Sequence, residues 1–411
     1  MKKNYSWIIC GLCVLLAFCY CGLVTVAFST YLPFLKEAAE LTATETSMIT
    51  TIRCLSTIIF MIVSGKYYKK FSLRTGSILA LMTLPIAYFI FAHAHTAFTC
   101  YIAAFISGIP YALGNTISIA QIIRNWFKSK EATALSIAMC GTGVSTAVMP
   151  PIITKLVDSV GLATAFYAVA AFAIVSGILI FFLLRDKPEE LGYEPYQDVK
   201  TERKKEKKTI VKTTDFLSGK RIILFLVVAL LIGGAGTPYT NHLSLHYSSV
   251  GYITIQAALA ISVYGVLLMI SKIVYGAGVD HFGAYKVNYL FFITWILASG
   301  MTIFLHGTSL GMLYGSAVFN GIGISLGTIG ITVWTRDFSS DAEYARRVKM
   351  TQTLFQVGSF AGSPVPGLIA DKTGSYARAY VLFTAILILI FVIIQGMYQR
   401  QRKAEAERAG A

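Results

Sequence analysis

Long blocks of apolar residues, separated by short polar connections, run the length of this chain. A helix needs about 20 mostly apolar residues to cross roughly 30 Å of hydrocarbon. Breaking the blocks at charges and turn residues predicts six helices over 7–34, 44–68, 75–94, 98–125, 131–156 and 163–184. Six more are predicted over 221–245, 254–278, 285–306, 309–335, 345–369 and 377–398. The pattern therefore predicts an all-α membrane protein with twelve transmembrane helices.

Composition supports this class and excludes others. Of the 411 residues, 55% are hydrophobic and 13% charged. The first block lacks a small-residue cleavage site and is longer than the apolar region of a signal peptide, so we expect it to stay as the first span. Cys10 and Cys13 have the Cys-x-x-Cys spacing of metal ligands, but no second thiolate pair or histidine lies at ligand spacing, which favours packing thiols for all seven cysteines. No nucleotide-binding loop is present, so we do not expect ATP to be the energy source. We also expect no enzyme activity, no cofactor and no bound metal.

The formal net charge of +15 raises the possibility of a nucleic-acid partner, but its placement argues against one. Lysines and arginines crowd alternate connections, whereas the opposite set holds few. By the positive-inside rule, both termini and the stretch 185–220 are then cytoplasmic. We therefore expect a multi-pass protein of a bacterial-type inner membrane, with lipid as its partner and a monomeric state.

Two internal repeats divide the chain into related halves. Gly65 and Gly276 are 211 residues apart, and Pro151 and Pro364 are 213 apart, each proline followed at equal intervals by Asp and Gly. Two landmarks at nearly one offset indicate a duplicated unit, hence two pseudo-symmetric six-helix bundles. The predicted domains are a bundle over 1–184, a basic linker over 185–220, a bundle over 221–398 and a tail over 399–411. The linker is either simply hydrated or a lipid-binding, regulatory segment.

The segment Gly276-x-x-x-Asp280-x-x-Gly283-x-x-Lys286 resembles the loop signature of the major facilitator superfamily. In that superfamily the glycines let helices approach closely, and the aspartate pairs with arginines to hold an inner gate shut. The resemblance thus implies gating roles for Gly276, Asp280 and Gly283, with Arg346 or Arg347 as the partner of the acid.

The first-half copy of this signature departs from the family pattern. It begins at Gly65, which takes the same gating role, but Lys69 stands where the acid is expected. We therefore expect a weaker gate in this half, or one organised around other residues.

Three further segments resemble a narrower group, the monocarboxylate and oxalate:formate type transporters. The stretch 124–143 is similar to their junction between the fourth and fifth helices, 371–379 to their last external loop, and 185–189 to the exit of their sixth helix. The first of these adds Arg124 to the gating candidates. The group implies a small organic anion as the solute.

Only two formal charges lie well inside predicted spans, Arg53 and Lys272. Each costs at least about 2.5–3.5 kcal/mol to insert. Arg53 is roughly 18 Å from the turn at Gly65, beyond the reach of snorkelling, and it shares a polar helix stripe with threonines. No Asp or Glu lies in the interior of a span, so an anionic solute would supply the missing counter-charge.

Structural alternatives remain open for both cations and for the polar residues near them. Lys272 is one turn before Gly276 and its stem can reach the headgroups, although the resemblance implies a substrate-binding cation there. Arg53 can instead be neutralised by backbone carbonyls at a helix contact. The further substrate-binding candidates, each equally consistent with an interhelical hydrogen bond, are Tyr31, Asn115, Tyr264 and Gln356.

The seventh predicted span has two possible interpretations. Glycines and Pro238 precede Tyr239, which indicates either a broken span or close packing of glycines. Two histidines follow, His242 and His246, and their place near a helix end favours a surface position.

Two departures from the narrower group leave the coupling ion open. The proton-coupled carriers have an acid one turn before the eighth-helix cation, where this chain has Leu268. The oxalate carrier has a lysine in its eleventh helix, and the stretch 352–369 contains none. Protons or a counter-anion can therefore accompany the solute, and proton symport would have to use a histidine or the substrate.

Together these patterns predict a secondary transporter that moves a small organic anion by alternating access, with Arg53 and Lys272 holding a carboxylate. A transporter of another small metabolite or drug is the first alternative. A transporter-like receptor that binds without translocating is the second.

Overall fold

In a computed structural model, the chain is described over residues 5–114, 116–197 and 216–409, and these residues are overwhelmingly helical. The first half contains helices Tyr5–Ala17, Val26–Ser29, Leu32–Ala38, Ala43–Lys70, Leu73–Ala92, Ala97–Gly114, Thr116–Trp126, Glu131–Val160 and Leu162–Leu183. The second half contains helices Lys220–Asn241, Leu243–Ser249, Thr254–Phe282, Ala284–Ile303, Leu310–Gly323, Ile331–Phe338, Asp341–Gly362, Val365–Thr373 and Ala377–Ala409. Shorter turns are the π-helical segments Phe18–Leu23 and Leu326–Gly330 and the 3-10 helix Pro188–Leu191.

Ten helices in the described residues are long and apolar enough to cross a membrane. The predicted tenth and eleventh spans are helical but interrupted, over 310–338 and 341–373. A π-helical turn breaks the tenth, and the eleventh breaks at Pro364, which has no backbone N–H to continue the helix. Each of the twelve segments predicted as a span is helical over most of its described residues, and we refer to these segments as the first to twelfth spans.

The chain folds as two compact units that divide between residues 209 and 210. In the first unit, the first span packs against the fifth, the second against the fourth, and the third against the fourth and sixth. In the second unit, the seventh packs against the eleventh, the eighth against the tenth, and the ninth against the tenth and twelfth. The same set of partners recurs six spans later, so the duplication is visible in the helix packing of each unit.

Glycines set the closest helix contacts within each unit. A Cβ at Gly141 would clash with the Val14 carbonyl, and one at Gly358 would clash with the Leu230 carbonyl. In lipid, helices associate through close packing rather than through a hydrophobic drive, which favours small residues at such crossings. These contacts join the first span to the fifth and the seventh to the eleventh.

The glycines of the seventh span are predicted either to break the helix or to pack closely against a neighbouring helix. A Cβ at Gly233 would clash with the Phe355 carbonyl of the eleventh span, so this glycine is a packing residue. The helix runs unbroken through Pro238 to Asn241, and the break comes at His242. Of the two alternatives that the sequence left open for this span, the structure supports close packing of glycines.

Both described ends of the predicted linker dock on their own unit. The Tyr196 N–H donates to the Trp126 carbonyl at 2.8 Å, and the Trp126 indole N–H donates to the Arg185 carbonyl at 3.0 Å. In the second unit, the Phe216 N–H donates to the Phe338 carbonyl at 3.0 Å. Trp126 and Phe338 end the helices of the fourth and tenth spans, so the two ends of the linker attach at equivalent places in the repeat.

Candidate functional site

Arg53 lies in the second span, a helix over Ala43–Lys70 that starts with a reciprocal capping box between Thr42 and Glu45. Only 4% of Arg53 is exposed. The polar stripe that the sequence predicts around it is buried as well, with Thr46, Thr50, Thr57 and Ser64 all shielded. The arginine therefore lies in the interior of the first unit and does not face the surrounding lipid.

A break in the first span supplies the partner of this arginine. The π-helical segment ends at Leu23, and Thr25 leaves the helical region with φ −107° and ψ −103°. The Arg53 Nη1 donates to the Val24 carbonyl at 2.5 Å, and the Tyr88 hydroxyl donates to the Leu23 carbonyl at 2.9 Å. Backbone carbonyls freed by a break inside a membrane need such donors. Arg53 and Tyr88 thus donate hydrogen bonds to two backbone carbonyls at the break in the first span.

The rest of the Arg53 guanidinium makes few polar contacts with the described residues. Its Cζ lies 5.6 Å from the centroid of the Phe28 ring. Within the described part of the chain, no carboxylate pairs with it, and Val24 accepts its one hydrogen bond. A guanidinium carries five N–H donors. Arg53 therefore has the backbone-carbonyl contact that the sequence allowed as an alternative.

Tyr31 is a packing residue in this structure. Its ring stacks on Phe166 of the sixth span, with centroids 4.1 Å apart and planes 17° apart, and its hydroxyl donates to the Ala165 carbonyl at 3.3 Å. Phe28 also contacts the Tyr31 ring, at 6.0 Å, and thereby links it to Arg53. Asn115, the other first-half candidate, lies outside the described residues.

The second unit contains a structural counterpart of Arg53, and it is Tyr264. A Cβ on Gly108 would lie 2.6 Å from the Arg53 carbonyl, and a Cβ on Gly321 would lie 2.7 Å from the Tyr264 carbonyl. The neighbouring contacts repeat too, with Ser56 and Leu267 side chains at 2.7 and 2.6 Å from the same two positions. Arg53 and Tyr264 are 211 residues apart, the offset of the two signature glycines. That offset could have identified the pair from sequence.

Lys272 has no such relation to Arg53, because the same offset places it opposite Met61. Its side chain is partly exposed, beside the buried Ser271. The Ser271 hydroxyl bonds the Gly321 carbonyl at 2.9 Å and thereby holds the eighth span on the tenth. Gln356, the remaining candidate, is partly exposed in the eleventh span, next to the Phe355 carbonyl that packs on Gly233.

The gating candidates lie at helix ends. Gly283 has φ +79° at the start of the ninth span, a conformation that only glycine adopts without strain. Around Gly65 and Gly276, no described atom of another segment comes within 4 Å of where a Cβ would be, so neither makes the close helix approach that the resemblance implies. Arg124 is exposed at the end of the fourth span, next to Asn125, whose side-chain amide donates to the Asp186 carbonyl at 3.0 Å.

The expected pairing of the signature aspartate is not present. Asp280 is exposed and forms no ion pair with the described residues. Arg346 and Arg347 instead contact Glu343, at 3.6 and 3.7 Å, one helical turn earlier in their own helix. Pairs three and four residues apart form readily on one helix face, so local geometry outcompetes the longer-range partner here.

A buried polar cluster in the second unit escaped the sequence analysis. We call it the Thr302 network, and it comprises Tyr239, His246, Thr302, Asn320 and Tyr380. Thr302 is its centre: His246 Nε2 bonds the Thr302 carbonyl at 2.8 Å, while the Tyr239 hydroxyl and the Asn320 amide bond the Thr302 hydroxyl at 3.2 Å each. The Tyr380 hydroxyl donates to the Tyr239 carbonyl at 3.1 Å.

The surface position expected for the two histidines is wrong. His242 and His246 are both fully buried. His246 is enclosed by the Tyr380 ring, 4.8 Å away. Proximity to a helix end says little about burial when a neighbouring span covers that end, and the covering residues lie over a hundred positions further along the chain. The described residues contain no cluster able to hold a metal ion.

Two helical units of matching packing, with ten described helices long and apolar enough to cross a membrane, define a polytopic helical membrane protein. The Major Facilitator Superfamily profile matches residues 13–308 and 242–411. The chain therefore belongs to the major facilitator superfamily, and it is a transporter of a small solute rather than an enzyme.

Relatives agree with this assignment. The chain is 22% identical to human monocarboxylate transporter 12 over 438 residues, covering 98% of this chain and 83% of that protein. It is 23% identical to a putative tartrate transporter of Agrobacterium vitis over 331 residues, covering 77% of this chain and 73% of that protein. The crystal structure of the nucleoside transporter NupG superposes with a TM-score of 0.74 at 15% identity, covering 96% of this chain and 99% of that one. This last likeness establishes the fold alone.

Proposed function

We propose that this protein is a secondary transporter that carries a small organic anion across a bacterial inner membrane by alternating access, with both termini cytoplasmic. The observation that supports it best is the environment of Arg53. A buried cation is costly unless it is paired and its donors are satisfied. The carbonyl of Val24 meets one donor and supplies no counter-charge.

A carboxylate would complete this environment. Its two oxygens match the planar fork of a guanidinium, and such charge-assisted bonds are among the strongest in proteins. The acidic residues of the described spans all lie in first or last turns, as Glu45 and Asp280 do, so the protein does not itself provide this partner at the depth of Arg53. The names of two relatives, which specify monocarboxylate and tartrate, point to the same chemical class.

Lys272 is the second cation of the proposal. A lysine ammonium is a compact point charge on a flexible stem and attracts a carboxylate without fixing its orientation. Within the first unit we assign anion contacts to Arg53 and Asn115, while Tyr31 packs on Phe166. Within the second unit we assign them to Lys272, Tyr264 and Gln356. Gly65, Arg124, Gly276, Asp280 and Gly283 act in gating.

Counterflow in proteoliposomes tests the proposal. Vesicles preloaded with an unlabelled anion should accumulate the labelled form of at least one of formate, L-lactate and L-tartrate. Arg53→Gln should lower the initial rate by about 100-fold, because truncating one partner of a buried charge pair costs about 2–5 kcal/mol.

The matched control is Lys70→Gln, which removes an exposed cation from the same helix and should leave the rate unchanged. Thermal unfolding of both variants checks that they fold. Undiminished counterflow in Arg53→Gln would contradict the role of Arg53. Counterflow of a nucleoside, with none for the three carboxylates, would contradict the anionic substrate.

A further inference from the structure

Cations and tyrosines lie together where the ninth span begins and the twelfth span continues into the tail. We propose that this cluster binds the phosphate of an anionic phospholipid whose acyl chains lie along the ninth span. The cluster comprises Tyr285, Lys286, Tyr289, Gln399 and Arg402, and we call it the tail site. It lies within the second unit and does not depend on which solute is carried.

The tail site is at the level of the lipid headgroups. The ninth span begins at Ala284, directly before Tyr285. The helix Ala377–Ala409 has 33 residues and is about 50 Å long at 1.5 Å per residue, which exceeds the roughly 30 Å of hydrocarbon in a bilayer. Its apolar part ends near Tyr398, so Arg402 emerges at a membrane surface. Tyrosines are enriched at this level, and basic residues here attract anionic lipids.

The ninth span holds Arg402 in place. The Arg402 Cζ lies 4.6 Å from the centroid of the Tyr285 ring. The Tyr285 hydroxyl shares a hydrogen bond with the Tyr289 hydroxyl at 3.2 Å and accepts one from the Gln399 amide at 3.4 Å. Both helices thus fix the ring on which the guanidinium lies. An arginine held this way is suited to a phosphate, whose oxygens match the planar fork of its N–H donors.

An exposed apolar stripe leads away from the tail site along the ninth span. Lys286 is exposed, and Leu290, Ile293 and Leu297 follow it at the spacing of one helix face. All three apolar side chains are exposed too. Because the lysine and the stripe share a face, acyl chains packed along the stripe would bring the headgroup of the same lipid to Lys286.

No described acid neutralises these cations. Lys286 and Arg402 are exposed and form no ion pair within the described residues. The Asp337 carboxylate instead accepts from the Tyr398 hydroxyl at 2.8 Å, and the Asp337 carbonyl accepts from the Gln401 amide at 2.9 Å. This acid therefore fastens the tail to the end of the tenth span.

The first unit fills the corresponding place with an acid of its own. Arg74 is 211 residues before Tyr285, and its backbone N–H donates to the Asp186 carboxylate at 2.5 Å. The Arg74 guanidinium donates to the Phe181 carbonyl at 2.9 Å. The same offset from Asp186 leads to Met397, which carries no charge. The second unit thus has cations at this end of the repeat without the matching acid, and a lipid phosphate would supply the negative charge.

Native mass spectrometry of the full chain in detergent measures the dissociation constant of the first bound lipid. Dioleoylphosphatidylglycerol is anionic, and dioleoylphosphatidylcholine has the same chains and no net charge. Wild type should bind the anionic lipid about 25-fold more tightly, because each cation near a membrane surface contributes about a factor of five. The double variant Lys286→Gln with Arg402→Gln should bind the two lipids almost equally. Arg402→Lys keeps the charge but loses the planar fork, and should lower the preference about fivefold.

The matched control is Lys66→Gln with Lys69→Gln, which removes two exposed cations from the end of the second span and should keep the preference. Thermal unfolding in detergent alone checks that all variants fold. Glycerophosphoglycerol, the soluble headgroup without acyl chains, separates a lipid from a free phosphate and should not compete at the same concentration. Equal binding of the two lipids by wild type, or an undiminished preference in the Lys286 and Arg402 variant, would overturn the inference. An equal loss in the control, or competition by the soluble headgroup, would overturn it as well.

Discussion

The two units place different side chains at one equivalent position of their helix packing. In the first, the carbonyl of Arg53 packs on Gly108; in the second, the carbonyl of Tyr264 packs on Gly321. The backbone contacts agree within 0.1 Å, since the two distances are 2.6 and 2.7 Å. Duplication has thus kept the crossing of two helices while the side chain above it changed from a cation to a phenol. The helix packing at this position is therefore independent of the side chain that stands there.

The polar groups around the two positions differ in kind. The first unit has a broken span whose carbonyls engage Arg53 and Tyr88. In the second unit, the corresponding region holds the neutral network around Thr302. The first unit thus has a fixed charge where the second has neutral polar groups. The following predictions test this contrast.

The largest expected effect is a difference in transport rate between variants of Arg53 and variants of Lys272. Arg53→Lys should lower counterflow of an accepted carboxylate about 30-fold, because lysine cannot bond Val24 and hold a carboxylate in a bidentate manner at once. Lys272→Arg should change the rate by no more than about threefold, since a partly exposed point charge is easily replaced. Initial rates at several anion concentrations measure both. Equal losses in the two variants would show that the cations act alike.

A smaller effect is expected where the two units are alike. Gly108→Ala and Gly321→Ala each force a methyl group against a carbonyl, and overpacking of this kind costs about 1–3 kcal/mol. We expect thermal unfolding temperatures to fall by similar amounts in both. Gly396→Ala is the control, because a Cβ there meets nothing within 4 Å of the described structure. A loss confined to one unit would mean that the shared packing position is not energetically equivalent.

The smallest effect concerns the phenol that replaces the arginine. Tyr264→Phe keeps the ring and the contact with Gly321 and removes only the hydroxyl. A single hydrogen bond contributes about 1 kcal/mol, so we expect the half-saturating anion concentration to rise about fivefold with little change in unfolding temperature. An unchanged concentration dependence would remove Tyr264 from the substrate contacts and leave it as a packing residue.

The features that the sequence predicts correctly are those whose pattern lies within one segment or at a fixed offset along the chain. The burial of Arg53 follows from its depth in an apolar block and from threonines on the same helix face. The duplication follows from landmarks at offsets of 211 and 213 residues. The ion-pair partner expected for Asp280 and the surface position expected for the histidines are not what the structure has, because an ion pair and the burial of a helix end both depend on which distant segment packs nearby. The pairing of Glu343 with two arginines was readable from spacing alone.

By itself, the sequence determined that this protein is helical, membrane-embedded and duplicated, because hydrophobic length and internal repeats are properties of neighbouring residues and fixed offsets. Tertiary structure alone decided that Val24 accepts a bond from Arg53, that Phe166 covers Tyr31, and that Thr302 gathers His246 and Asn320. Each of these contacts joins helices tens of residues apart or more. Their formation depends on how helices cross at glycines, which no single segment encodes.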